Sequence, residues 1–216
     1  MGKIATVFTK CRYFSLLFRN WSQGIYVVVG TNDLTMGGSH ISVQSIKIHE
    51  QYDNATSKNN IALIRTASNI LSVPQTSTVA LGIASTLPGQ MCTLTGWGKE
   101  YLAMPLYSNI LRYAQFSVLS LDECRWYLYG IHNSEICTNP STSGGCDGDN
   151  GGPLVTVADN VQIGILSRGV PCAMGKPDVY TNVAHYSNWI DQHSGSMISA
   201  LSPFFLALLL SSCCLM

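Results

Sequence analysis

Charge is what this chain has least of: only 11% of its 216 residues are acidic or basic, and twelve of each sign cancel. A surface that reads phosphate backbones or anionic lipid needs a basic excess, so nucleic-acid binding and electrostatic membrane docking are excluded as the basis of function. The eight cysteines, at positions 11, 92, 124, 137, 146, 172, 213 and 214, lack the C-x-x-C and H-x-x-H spacings of a zinc site. No metal and no cofactor is therefore expected. The start of the chain has no uninterrupted apolar run, because Lys10, Cys11 and Arg12 break it; no signal peptide is expected.

What is present is enough apolar content, 46%, to bury a core, which excludes a disordered chain. Short apolar or alternating runs recur at 25–29, 41–48, 61–64, 91–94, 116–119, 154–157 and 161–166. Between them lie turn residues such as Gly30-Thr31-Asn32-Asp33 and Met36-Gly37-Gly38-Ser39. Many short strands with glycine-rich turns predict an all-β barrel or sandwich. After Tyr180 the apolar positions Val183, Tyr186, Trp189 and Ile190 fall at helical spacing and predict a single C-terminal helix. Wide, irregular cysteine spacing suits disulfides and an oxidising compartment.

The most specific stretch is Cys146-Asp147-Gly148-Asp149-Asn150-Gly151-Gly152-Pro153-Leu154. It resembles the C-x-G-D-S-G-G-P-L motif of the chymotrypsin/trypsin-like serine proteases, with Asn where the family has Ser. Gly96-Trp97-Gly98, Asn59-Asn60-Ile61-Ala62-Leu63, Ser167-Arg168-Gly169 and Pro177-Asp178-Val179-Tyr180-Thr181 follow the family's order. The resemblance covers roughly residues 3 to 193, and the endings at 169–173 and 177–181 look most like arthropod chymotrypsins. It implies two packed, antiparallel six-stranded β-barrels with the active site between them, the first barrel N-terminally incomplete, over a domain spanning 1–196.

Hydrolysis in that family needs a Ser nucleophile, a His to take its proton and an Asp to orient the His. By resemblance Asn150 stands at the Ser position and Asn60 at the Asp position. The nearest match to the His motif, Val7-Phe8-Thr9-Lys10-Cys11, contains no His. None of His40, His49, His132, His185 and His193 is nominated as a base; all are expected at the surface or in caps. Gly148 and Asn150 are the remnant of the oxyanion hole. Asp149 is the carboxylate that the family's freed N-terminus would pair with, and without that ammonium the 148–150 backbone is expected to stay loose, as in a zymogen.

The resemblance further implies disulfides Cys124–Cys137 and Cys146–Cys172, a free buried Cys92 whose partner position is Thr156, and a specificity pocket lined by Gly144, Gly169 and Asp178. There Asp178 would attract a basic side chain, unless it is simply solvated after Pro177. Arg168 stands where the family usually has Trp, which removes a stacking surface. Asn20-Trp21-Ser22 and Asn54-Ala55-Thr56 are glycosylation sequons. Residues 197–216, uncharged and rich in Leu and Phe, form a tail expected to serve as a GPI-type signal or a membrane anchor.

Three readings follow. The chain is a pseudoprotease that holds a protein or peptide in the old cleft; or an endopeptidase known from an incomplete sequence; or a degenerate copy without function. The family places it outside the cell or at the cell surface, and a monomer is expected.

Overall fold

The computed structural model describes residues 5–8, 25–140, 143–170, 172, 174–194 and 207–209. Strands β1 (Ala5–Phe8), β2 (Tyr26–Val29), β3 (Ser39–Ile48) and β4 (Ala62–Thr66) form an antiparallel sheet in the order β1-β4-β3-β2. Val27, Val28 and Val29 are all buried, so β2 is a continuous apolar run rather than an alternating one.

The second half contains β5 (Ser77–Leu81), β6 (Met91–Gly96), β7 (Arg112–Leu119), β8 (Glu135–Thr138), β9 (Pro153–Thr156), β10 (Val161–Arg168) and β11 (Val179–Asn182). Six of these close on themselves in the order β6-β7-β8-β11-β10-β9, with β9 returning to β6. The interior is filled by Leu94, Phe116, Val118, Ile136, Leu154 and Tyr180, as a small barrel requires. β5 adds to β10 in parallel, and β12 (Ala207–Leu209) adds to β5.

The all-β trypsin-like architecture is as expected, with one difference. The first half is a four-stranded sheet among the described residues and not a six-stranded barrel. At a twist of roughly 20–25° per strand pair, four strands do not turn far enough to bring their edges together. The tail expected at 197–216 contributes β12 to the β5 edge; its remaining residues lie outside the described ones. No helix among the described residues is long and apolar enough to cross a membrane.

Two short helices interrupt the strands. The C-terminal one, α2 (Ser187–His193), follows a 3-10 turn at Ala184–Tyr186. The other, α1 (Leu121–Tyr127), was not expected, although its start is legible: Ser120 and Glu123 form a reciprocal capping box, and Asp122 and Glu123 sit in the first turn. Seven residues are too few for apolar periodicity to stand out.

The halves are joined by one apolar cluster. Ile61 and Leu63, from the start of β4, pack against Ile165 of β10 and against Val183, Tyr186, Trp189 and Ile190 around α2. Ile61 is fully buried. Trp189 Nε1 donates to Glu50 at 2.9 Å, and the His49 and His193 rings lie on Trp189 with centroids 5.1 and 4.9 Å away. Those two histidines are half-buried packing elements rather than surface residues.

Two disulfides brace the second half. Cys124 is bonded to Cys137, tying α1 to β8, and Cys146 to Cys172. In the loop-closure model, rings of 13 and 26 residues each contribute roughly 3–4 kcal/mol. Cys92 is buried and unbonded, faces Thr156 across β6 and β9, and burial pushes its thiol up to about 11. A thiol that stays protonated is a poor nucleophile.

Candidate active site

A cavity of about 560 Å³ opens between the two halves. Asn60 and Asn150 line it together with Gly169 and Asp178, so residues 90 positions apart share one site. From the first half come the loop residues Tyr52 and Asn54 to Ser57, and from the second Tyr129, His132 and Arg168.

Asn60 is held from the second half. It is 2% exposed; its Nδ2 donates to Ser167 Oγ at 2.9 Å, and its carbonyl accepts from Thr181 Oγ1 at 2.7 Å. Asn59, just before it, adopts a left-handed φ of 54°, a region Asn tolerates better than most residues. The Asn59 side chain donates to Gln51 O and accepts from Tyr186 Oη. The Asn-Asn pair is thus fixed at both ends, and Asn60 presents to the cleft a neutral carboxamide.

Asn150 is exposed on the turn between Cys146 and Gly152. This turn is ordered by three backbone bonds: Asp149 N to Cys146 O, Gly152 N to Asp149 O, and Gly151 N to Leu166 O, at 2.8–3.0 Å. Gly148 and Gly151 carry φ of 99° and 91°, which a side chain would strain. The 148–150 backbone, expected to stay loose as in a zymogen, is hydrogen-bonded at these points.

The reason lies in the Asp149 carboxylate. Oδ1 accepts from Gly98 N at 2.7 Å and Oδ2 from Cys146 N at 3.0 Å. Burial raises its pKa, and the two N–H groups oppose that rise. A Cβ on Gly96 or Gly98 would overlap the carboxylate, which accounts for the glycines on both sides of Trp97. These two backbone donors hold the carboxylate in place.

Asp178 is buried, 5% exposed, and not solvated. It accepts from Gly145 N at 2.7 Å, and its pKa is pushed up to about 6, chiefly by burial, with the nearby Asp149 adding to the rise. Gly169 packs so closely on Asp178 that a Cβ there would press on its Oδ1. Of the expected pocket residues, Gly169 and Asp178 line the cavity; Gly145 does so in place of Gly144. Gly148 and Asp149 are not among the residues that line it.

Sequence reading missed the Arg168–Glu135 pair. Nη2 of Arg168 donates to both Glu135 oxygens at 2.9 Å and to Gly130 O at 3.2 Å. Glu135 is 5% exposed, an unusual place for a carboxylate unless it is paired. No signal for it stood in the sequence, since Glu135 opens a four-residue strand and lies 33 positions from Arg168. Among the five histidines, His132 lines the cavity. Sequon Asn20 lies outside the described residues, as does the Thr9–Cys11 part of the segment compared with the His motif. The described residues contain no group of His, Cys, Asp or Glu that would hold a metal.

A closed six-stranded barrel, a second sheet, a C-terminal helix and a cleft between the halves define the trypsin-like class of fold. The Trypsin family description matches residues 17–190, and the chain belongs to that family of chymotrypsin- and trypsin-like proteins. It is 36% identical over 154 residues to chymotrypsin-2 of Vespa crabro, covering 70% of this chain and 69% of that protein. To trypsin beta of Drosophila erecta it is 30% identical over 174 residues, 78% of this chain and 68% of that protein. To trypsin alpha-3 of Lucilia cuprina it is 32% identical over 166 residues, 74% of this chain and 99% of that protein. The arthropod character expected from residues 169–173 and 177–181 agrees with these relatives.

Proposed function

We propose that this chain is a catalytically silent member of the trypsin family that binds peptide in its cleft without cutting it. One observation carries the reading: Asn60 and Asn150, the residues at the family's Asp and Ser positions, line the same cavity. A carboxamide nitrogen is conjugated and not basic, and its oxygen is a weak nucleophile, so Asn150 forms no acyl-enzyme. A neutral Asn60 does not stabilise an imidazolium. Loss of the nucleophile alone lowers turnover in such a triad roughly a million-fold.

Binding is supported by what surrounds these two residues. The cavity has the size of a ligand site, Tyr129 stands fully exposed at its edge, and Asp178 offers a buried acceptor for a basic or hydroxyl-bearing side chain. The disulfides suit an extracellular setting.

The test compares the purified chain with an Asn60→Asp, Asn150→Ser double variant, using peptide substrates for turnover and a non-cleavable peptide for binding. The unmodified chain is expected to bind and leave peptide intact. Turnover by the unmodified chain, with covalent labelling by a serine-directed phosphonate, would sink the proposal.

A further inference from the structure

The sequon Asn54-Ala55-Thr56 falls on the loop that forms the first-half wall of the cavity, and all three residues line it. All three are also exposed, so the site is open to solvent on one side and to the cleft on the other. The loop is closed at its base: Asp53 N donates to Lys58 O at 3.0 Å, and the Asp53 carboxylate accepts from Ala55 N and Thr56 Oγ1 at 2.9 and 2.7 Å. Tyr52 Oη donates to Asn54 Oδ1 at 3.2 Å. Asn54 Nδ2, the atom that glycosylation uses, takes no hydrogen bond among the described residues.

We propose that Asn54 carries an N-linked glycan that stands at the mouth of the cleft and sieves what enters, admitting small or extended ligands and excluding folded proteins. The inference rests on the cleft's being a binding site and on passage of the chain through the secretory pathway. In the transfer step the Asn54 Nδ2 nitrogen bonds to the anomeric carbon of an oligosaccharide carried on a lipid diphosphate. The bond from that carbon to the diphosphate oxygen breaks, the lipid diphosphate leaves with the electron pair, and Nδ2 gives up one proton. The product is a bulky, hydrated branch whose attachment point is fixed at the opening by a short loop tied at its base, so the volume it sweeps lies over the cleft. Steric exclusion of this kind discriminates by building a clash against the unwanted partner rather than a better contact with the wanted one.

Two measurements on the full chain, directed through the secretory pathway, test this. First, in an Asn20→Gln background, a glycosidase is expected to increase mobility on a gel, and an added Asn54→Gln substitution to abolish that change. No change in the Asn20→Gln protein overturns the proposal. Second, an Asn150→Cys variant in the same background is treated with a small maleimide or with a large polyethylene-glycol maleimide, and labelling is read by mass spectrometry on the peptide containing position 150. With the glycan present the small reagent is expected to react and the large one to be lost. Removal of the glycan, by Asn54→Gln or by glycosidase on the folded protein should the substitution impair folding, is expected to restore the large reagent without altering the small one. Equal reaction of the large reagent in both states overturns the sieve. The maleimide readout needs no ligand, so sieving without peptide binding would refute the binding function and leave the glycan's role standing.

Discussion

The two halves of the molecule solve the same problem differently. The second half closes six strands into a ring, fills it with its own side chains and braces it with two disulfides. The first half, among the described residues, is an open sheet with a cluster of its own around Val27, Val29, Val43, Ile64 and Ile70, while Ile61 and Leu63 find their partners across the boundary, on β10 and around α2. One half closes on itself and the other stays open and packs against it. The cleft is where they lean, which is why a residue of each, Asn60 and Asn150, lines it.

The comparison is broken most directly at the shared cluster. Ile61→Ala removes a fully buried side chain and is expected to cost about 3–4 kcal/mol, read as a lower urea midpoint. If the halves are coupled as the packing indicates, fluorescence and circular dichroism will lose their signals together; a separate early loss of the first-half signal would show them independent.

Next in size is Arg168→Ala, which leaves Glu135 buried without its counter-charge and is expected to cost about 3 kcal/mol. The double variant Arg168→Met, Glu135→Gln should recover most of that loss, since no unpaired charge remains. If Arg168→Ala proves neutral, the ion pair contributes nothing to the second half's greater self-sufficiency.

Asp178 sharpens the comparison through pH. Its folded pKa of about 6 lies above the unfolded value, so the folded state holds the extra proton. Stability from this group is complete below the unfolded pKa and is lost as pH rises from about 4 to about 6. Asp178→Asn is expected to remove that slope and to be more stable at pH 7 by on the order of 2 kcal/mol. Thermal melts across that range check it; an unchanged slope would mean Asp178 is ionised throughout.

The smallest effect is a gain. Cys92 and Thr156 face each other on β6 and β9, and directly opposed Cα atoms fall within disulfide reach. Thr156→Cys is expected to form a third bridge and add about 1–2 kcal/mol, less than a full disulfide because Thr156 Oγ1 gives up its bonds to Asp159 and Val161. Thiol titration and denaturation under oxidising conditions decide it.

Most of the strands were legible because their apolar runs are long enough to read, from Tyr26–Val29 to Val161–Arg168. β5, β8 and β11 were not, since runs of four or five residues that mix Ser, Thr, a buried Glu135 or a terminal Asn182 with apolar side chains carry no pattern. The disulfides followed from the family resemblance and stand in the structure. That Gly98 N–H and Cys146 N–H both reach the Asp149 carboxylate was not legible, because Gly98 lies far from Asp149 in the chain. At Asp178 the sequence left a pocket residue and a solvated turn both open, and only its packing on Gly169 and Gly145 decides between them.

By itself the sequence determined the family, the all-β class and the two bridges, and its resemblance to the family implies asparagine at two triad positions, because motifs and covalent chemistry are written in residue identity. Only the tertiary structure decided that those asparagines share one cavity, that Arg168 is paired, and that the Asn54 sequon lies on the cavity wall. Each of these is a through-space relation between segments far apart in the chain, set by how the first sheet packs on the barrel.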